Sequence, residues 1–389
     1  MTTGIPSIAA STDETGLFTG GQHRPMMAMV EITNRCNMRC PICFTDASAQ
    51  AEDIGVDEIK ARLDKMLEVA GPIPLQISGG EPTLHPQLPE IINYARHCGF
   101  KNIELISNGI AIGRDPEYLC SLVDQGLTAV YLQFDGLSRQ THQAIRGRDM
   151  REVRLNSIAA IRSAKICCTL AVAVTRGVND HELGEIITFG IQNIDTIRAI
   201  NFQSATRFSG RFDLDPDVAS DGPGFSLSEL TALIEQQSGL ESGGFISDIL
   251  GHPQCNAMSL VYLVDNRLEP LFRHIPKKSR EAFLGKDRQQ ILLDLFRGKE
   301  YFCRKYLFKP ASWKLLIETA DTFGRKIGFN TLFKAQHILL FAKSFMDRES
   351  LDDERLSQCC YGIAQTNGIY SFCAYNNLHR FKNIDWRNP

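Results

Sequence analysis

Residues 31–44 read Glu31-Ile-Thr-Asn-Arg-Cys-Asn-Met-Arg-Cys-Pro-Ile-Cys-Phe44 and set three thiols, Cys36, Cys40 and Cys43, in the spacing C-x3-C-x2-C. Four thiolates would close all the irons of a [4Fe–4S] cluster; three leave one iron open to a small molecule, with an electron to pass to it. A zinc knuckle is the competing reading. Structural zinc sites are closed by a fourth Cys or His, and the first histidine after the triplet is the distant His85. The triplet also follows a strand-like apolar run, residues 26–32, and is followed by the aromatic Phe44.

Outward from the triplet, strand and helix patterns alternate. Strands are expected over 26–33, 74–78, 102–107, 128–134, 166–175 and 197–203, and helices over 56–69, 86–98, 116–125, 153–164 and 181–192. In 56–69, Ile59, Leu63, Met66 and Leu67 share one helical stripe. Gly99 and Gly126 follow two of these helices as stop signals. Six βα units in series imply an α/β fold with a parallel sheet and helices outside. They are too few for a closed eight-stranded barrel, so an open partial (β/α)6 barrel is expected, with its chemistry at the C-terminal ends of the strands. After residue 213 the regularity breaks. Residues 213–224 are rich in Asp, Pro and Gly and read as a linker, and Ser226 with Glu229 forms a capping box. Three parts follow: a flexible arm over 1–24, the barrel over 25–213, and a mostly helical C-terminal domain over 214–389 that covers the substrate.

The chain has 389 residues, ample for a buried core and near two domains by length. A net charge of -3 supplies no global basic field for nucleic acid. No apolar run approaches the ~20 residues of a membrane span, and residues 1–24 carry no secretory signal. Twelve cysteines in such a chain point to a reducing compartment, the cytoplasm, and to metal ligation in place of a disulfide framework.

Polar and glycine residues gather at the expected strand ends. Ser78-Gly79-Gly80-Glu81-Pro82 follows the second strand; its glycines let backbone groups approach a ligand closely, and Glu81 can accept from a cation. Asn108 ends the third strand and Asp135 the fourth, with Gln133 on the same face as Asp135 by two-residue alternation. Asn-Gly and Asp-Gly pairs also serve as plain turns. Thr175 closes the fifth strand, beside Arg176 and Asn179. Arg207 and Arg211 follow the sixth, and an arginine fork suits a carboxylate, although each reads equally as a solvated surface cation.

A second cysteine group lies in the C-terminal part: Cys255 within Gly251–Met258, then Cys359, Cys360 and Cys373. Asn367-Gly368 reads as a hairpin turn that brings Cys359 and Cys373 together. With Cys255 they make three ligands of an auxiliary cluster, the fourth being Cys360, Cys303, His252 or a substrate. Buried free thiols are the alternative, and that is the reading for Cys98, Cys120, Cys167 and Cys168.

The cysteine triplet, and the Ser-Gly-Gly-Glu-Pro-Thr-Leu run one βα unit later, resemble the signature and GGE segment of the radical SAM superfamily, with Ile42 where an aromatic is usual. Segments 202–211, 252–258, 345–347 and 355–377 resemble one branch, that of tetraether lipid synthase and the methanogen pterin-methylating enzymes. Those relatives are longer, with an N-terminal CxxC-rich region where residues 1–25 here hold no cysteine. The resemblance implies that Cys36, Cys40 and Cys43 hold a [4Fe–4S] cluster whose open iron binds S-adenosylmethionine (SAM). It places Gly79, Gly80, Glu81 and Pro82 at the SAM amino group. It puts Asn108, Gln133, Asp135 and Thr175 near the ribose, the carboxylate or the substrate, and Arg207 or Arg211 at the carboxylate. Reductive cleavage to a 5′-deoxyadenosyl radical, hydrogen abstraction from an unactivated carbon and carbon–carbon bond formation, as methylation or alkyl coupling, are the implied chemistry. A second [4Fe–4S] cluster, a flavodoxin or ferredoxin as reductant, and a small-molecule or lipid substrate are the implied partners; a lipid would bring the protein to the membrane periphery. A peptide-modifying maturase with an auxiliary cluster, or a non-enzymatic iron–sulfur protein, are the other readings.

Overall fold

The computed structural model describes residues 17–18, 24–214, 222, 224–247, 251–264, 267–274, 277–278 and 336–380. Most of the expected N-terminal arm and linker, and Cys303, lie outside the described residues.

The barrel strands are β1 (Met27–Thr33), β3 (Leu75–Gly79), β4 (Ile103–Ser107), β5 (Ala129–Gln133), β6 (Cys167–Val174) and β7 (Ile197–Ser204). Helices α1 (Val56–Ala70), α2 (Leu88–His97), α3 (Ile110–Arg114), α4 (Pro116–Asp124), α5 (Arg139–Arg146), α6 (Arg151–Ser163) and α7 (Leu183–Gln192) connect them. A short ribbon pairs β2 (Ile42–Cys43) with β8 (Arg211–Phe212). The six barrel strands run parallel and in sequential order. Their alternation explains the packing: Leu105, Val130, Leu170 and Ile200 turn outward into the helix layer, where they meet Ile59, Leu63 and Ile92 in one core.

The described residues of the C-terminal part hold more strand than the helical expectation allowed. Among its described residues, α8 (Leu227–Ser238) keeps the capping box of Ser226 and Glu229. The rest is mainly strand: β9 (Asn256–Val264), β10 (Arg267–Pro270), β11 (His337–Lys343), β12 (Tyr361–Gln365) and β13 (Gly368–Ser371), with the short α9 (Asp353–Ser357) before β12. These strands extend the barrel sheet at both edges. β11 pairs parallel with β7 and β12 parallel with β1, so parallel neighbours run β11-β7-β6-β5-β4-β3-β1-β12. β9 and β10 add antiparallel beyond β11, and β13 beyond β12. The physical reason for the difference is periodicity. A short apolar run such as His337–Lys343 does not distinguish a buried strand from a buried helix. The Asn367-Gly368 hairpin is present as β12–β13, with Cys359 and Cys360 before it and Cys373 after it.

Candidate active site

The cysteine loop leaves β1 at Thr33 and is clamped from below. Thr33 Oγ1 donates to Asp53 Oδ1 (2.6 Å), and Arg35 donates to both Asp53 oxygens and to the Leu84 carbonyl. The Cys36 amide donates to the Ser48 carbonyl (3.0 Å), and the Met38 amide to Cys36 Sγ (3.4 Å). The β2–β8 ribbon sets Cys43 opposite Arg211. Arg211 spends its fork on this loop, donating from Nη1 to the Cys40 carbonyl (2.9 Å) and from Nη2 to Asp46 Oδ1 (2.5 Å) and the Ala47 carbonyl (3.1 Å). Gly210 has no room for a side chain, since a Cβ there would run into the Cys43 and Phe44 carbonyls.

The glycine turn after β3 locks onto the same loop. Gly79 adopts φ +134°, and a Cβ there would collide with the Thr33 carbonyl. The Gly80 amide donates to the Thr33 carbonyl and the Glu81 amide to the Arg35 carbonyl, each at 2.8 Å. Pro82, itself buried, opens a single helical turn. The Glu81 carboxylate is 1% exposed and accepts from Thr83 Oγ1 (2.6 Å), Ser107 Oγ (2.8 Å) and the Asn108 amide (2.7 Å). Burial pushes its pKa up, and these hydrogen bonds oppose the rise. Asn108 Nδ2 donates to Asn37 Oδ1 (2.8 Å). Gly79, Gly80, Glu81 and Asn108 are thus one hydrogen-bonded unit with the cysteine loop.

Three buried charges, Asp135, Arg146 and Arg154, lie behind that unit. Asp135 accepts two bonds from Arg146 (both 2.6 Å) and one from the Ala173 amide (3.1 Å). Burial pushes the Asp135 carboxyl up, but the charge and hydrogen bonds of Arg146 outweigh burial and hold it below the usual carboxylate range. Burial raises the Cys40 thiol, with the Arg146 cation opposing, and takes Cys36 up to about 12; ligation by metal reverses such shifts, because a coordinated thiol is deprotonated. Arg154, on α6, donates from Nη1 to the Asn108 carbonyl, while its Nε and Nη2 are buried without a partner among the described residues. Sequence reasoning missed Arg146 and Arg154. The available signal was Arg154 sharing the buried face of α6 with Ile158 and Ile161.

The other expected residues scatter more. Gln133 lines the barrel lumen with a buried, unpartnered Oε1. Thr175 is fully buried; its amide donates to Asn179 Oδ1 (2.7 Å) and its Oγ1 is unpartnered. Arg207 is exposed, 5.2 Å from the Phe212 ring centroid. Of the cysteines expected in the core, Cys168 is buried and Cys98 half-buried, whereas Cys120 and Cys167 are exposed.

The lumen holds two cavities. The upper, of about 130 Å³, is bordered by the cysteine-loop residues Ile42 and Phe44 and by Gln133, Arg146 and Arg211. The lower, of about 480 Å³, is bordered by Cys255, Cys359, Cys360 and Cys373. Tyr131, Phe345, Tyr361 and Phe372 border both and form an aromatic floor between them. Around the lower cavity, Arg355 Nε donates to Cys255 Sγ (3.2 Å), the Met346 amide to Cys373 Sγ (3.4 Å) and Asn256 Nδ2 to Cys360 Sγ (3.7 Å). Among the described residues, neither cysteine group is contracted into a cage of three metal-ligating side chains.

Residues 30–190 match the family model of the radical SAM superfamily. It is similar to the 7,8-dihydro-6-hydroxymethylpterin dimethyltransferase of Methanocaldococcus jannaschii, 27% identical over 416 residues that take in 94% of this chain and 79% of that protein. The GTP 3',8-cyclase of Chlorobaculum tepidum is 28% identical over 177 residues, 45% of this chain and 52% of that enzyme. Among solved structures, Streptococcus suis SuiB bound to S-adenosylmethionine overlays with a TM-score of 0.44 at 15% identity, covering 55% of this chain and 47% of SuiB. The family implies a [4Fe–4S] cluster, SAM and a reductant. The residues fit that demand: three thiols share one clamped loop, and the partnerless N–H groups of Arg154 suit an anionic group beside them. Among the described residues no helix is long and apolar enough to cross a membrane.

Proposed function

We propose that the chain is a radical SAM enzyme that abstracts hydrogen from an unactivated carbon and forms a carbon–carbon bond, by methylation or alkyl coupling. The observation that supports it most directly is the single hydrogen-bonded unit of cysteine loop, glycine turn and Asn108 at the mouth of the lumen. Cys36, Cys40 and Cys43 hold the cluster. A [4Fe–4S] cluster bound there supplies the electron that cleaves SAM reductively. Gly79 and Gly80 offer backbone to the SAM amino group, while Glu81 fixes the shape of that turn. Arg154 donates to the SAM carboxylate. The aromatic floor excludes water from the reacting carbon. The name of the methanogen relative supports methyl transfer as the bond-forming step.

A second [4Fe–4S] cluster belongs to the same reading, held by Cys255, Cys359 and Cys373. Cys360 borders the same cavity as the other three, which supports it as the fourth ligand. A flavodoxin or ferredoxin supplies the electrons.

The test is anaerobic reconstitution followed by dithionite and SAM. Wild type should release 5′-deoxyadenosine, and the Cys36/Cys40/Cys43→Ala triple variant should fall to background. Equal rates in the two proteins would end the proposal. Deuterium transfer from labelled substrate into 5′-deoxyadenosine then identifies the carbon attacked.

A further inference from the structure

We propose that Lys343 and Arg355 are electrostatic positioning residues of the second cysteine site: together they balance the charge of a cluster held by Cys255, Cys359, Cys360 and Cys373, and they bias it toward its reduced state. This rests on the second-cluster reading above and adds to it the residues that set the potential.

β11 runs beside β9, and Lys343 sits opposite Asn256, the residue after Cys255. The Ser344 amide donates to the Cys255 carbonyl (3.0 Å). Lys343 borders the lower cavity, with Nζ 5.1 Å from the centroid of the Tyr361 ring, and Tyr361 directly follows Cys360. The ammonium is thus placed between Cys255 on one sheet edge and Cys360 on the other. Arg355 donates from Nε to Cys255 Sγ (3.2 Å) and from Nη2 to the Ser344 carbonyl (3.0 Å). Among the described residues neither cation forms an ion pair. Glu104 also borders the cavity, but it accepts from Gln76 Nε2 (2.6 Å) and Thr169 Oγ1 (2.9 Å), and burial pushes its carboxyl pKa up. Asp352 is exposed and caps α9, accepting from the Arg355 amide (2.8 Å).

Two cations without a carboxylate, beside a largely apolar cavity, call for an anion from outside the protein. Four thiolates bring four negative charges and an oxidised [4Fe–4S] core two positive ones, so the cluster is a dianion, matched one for one by Lys343 and Arg355. Three thiolates would leave one cation over. Reduction adds one electron, taken from the flavodoxin or ferredoxin of the proposed function, with no bond made or broken. Adjacent positive charge and N–H bonds to sulfur both favour that reduced state. Besides Arg355, the Met346 amide donates to Cys373 Sγ (3.4 Å) and Asn256 Nδ2 to Cys360 Sγ (3.7 Å). A zinc ion in four thiolates carries the same charge and is the rival occupant. It would draw all four sulfurs to about 2.3 Å from one point, whereas the four cysteines border a cavity of about 480 Å³, which suits a larger group. The aromatic floor keeps this site apart from the upper cavity, as fits a closed electron carrier.

The test uses the full-length Cys36/Cys40/Cys43→Ala variant, which lacks the first site. It is reconstituted anaerobically with iron and sulfide and poised at a series of potentials, while electron paramagnetic resonance reads the reduced cluster. In that background Lys343→Met and Arg355→Gln should each lower the ratio of reduced to oxidised cluster at a fixed potential about tenfold, equivalent to ~59 mV for one electron. Lys343→Arg and Arg355→Lys, which keep the charge, should stay close to the background protein. Bound zinc in place of iron, or no bound metal, overturns the second-cluster reading and this proposal together. Iron bound at the background level, with the potential unmoved in both Lys343→Met and Arg355→Gln, overturns this proposal alone. Equal shifts in Lys343→Met and Lys343→Arg would assign the effect to shape, and loss of the cluster from both Lys343→Met and Arg355→Gln would make the two residues scaffolding; either result also overturns it. These measurements require no SAM cleavage, so 5′-deoxyadenosine release by wild type tests the enzyme reading separately.

Discussion

Arg154 is the residue whose surroundings ask most for a ligand. A buried guanidinium is tolerated when paired, yet Asp135 is occupied by Arg146, and among the described residues Arg154 donates only to the Asn108 carbonyl. Burial lowers its pKa to about 10, so it stays cationic at neutral pH. Replacing it with Met should weaken SAM binding to the reconstituted protein by about tenfold or more, as for loss of a charge-assisted hydrogen bond at ~1.5–3 kcal/mol. The melting temperature should hold, because the lost charge had little pairing. Isothermal titration showing wild-type SAM affinity would remove Arg154 from the site. Glu81 behaves differently. Its carboxylate is filled by Thr83, Ser107 and Asn108, so Glu81→Ala should lower stability by ~1.5–3 kcal/mol together with SAM affinity; a loss of affinity with an unchanged melting curve would instead mean direct contact with SAM. The cysteines and the glycine turn were legible because their spacing is local in the chain. Arg146 and Arg154 were not, because a basic residue on a helix reads as solvated unless its stripe is checked against apolar neighbours.

Among the connecting elements, Glu182 is the tie between the start of α7 and the loop that leads from β5 into α5. Its carboxylate accepts from the Leu137 amide (2.5 Å), the Ser138 amide (3.1 Å), Ser138 Oγ (2.8 Å) and Thr141 Oγ1. Burial raises its pKa, but these hydrogen bonds outweigh burial and the net shift is downward. A carboxylate with a depressed folded pKa contributes its stability above the unfolded value of about 4.3 and loses it as pH falls through the folded pKa. Glu182→Gln should therefore cost ~1.5–3 kcal/mol at neutral pH, and the gap to wild type should close as denaturation is repeated toward pH 3. A gap independent of pH would assign the effect to shape alone. At this scale the sequence reading located the six barrel strands to within about two residues, because hydrophobic alternation and stop glycines coincide there. It missed α5, which is short and polar, and β9 and β11, whose continuous apolar runs carry no period of their own.

For the whole molecule, the consequence of the C-terminal strands is where they bring the cysteines. Cys255 enters with β9 at one edge of the sheet, while Cys359, Cys360 and Cys373 enter with β12 and β13 at the other. The two edges meet at the lower cavity, where Arg355 from α9 donates to Cys255 and the segment after β11 donates to Cys373. Gly251 marks the seam, since a Cβ there would press on the Gln358 carbonyl and on Cys360. A cluster bound by these thiols would staple two edges that the described backbone leaves unpaired. It would also stand beside the lower cavity. The Cys36/Cys40/Cys43→Ala variant isolates this site. After anaerobic reconstitution it should still hold about four irons and four sulfides, and adding Cys255→Ala and Cys373→Ala should remove them and lower the melting temperature of the reconstituted protein. If the triple variant binds essentially no iron, these cysteines are wall residues of the lower cavity, and the two sheet edges are held by packing alone.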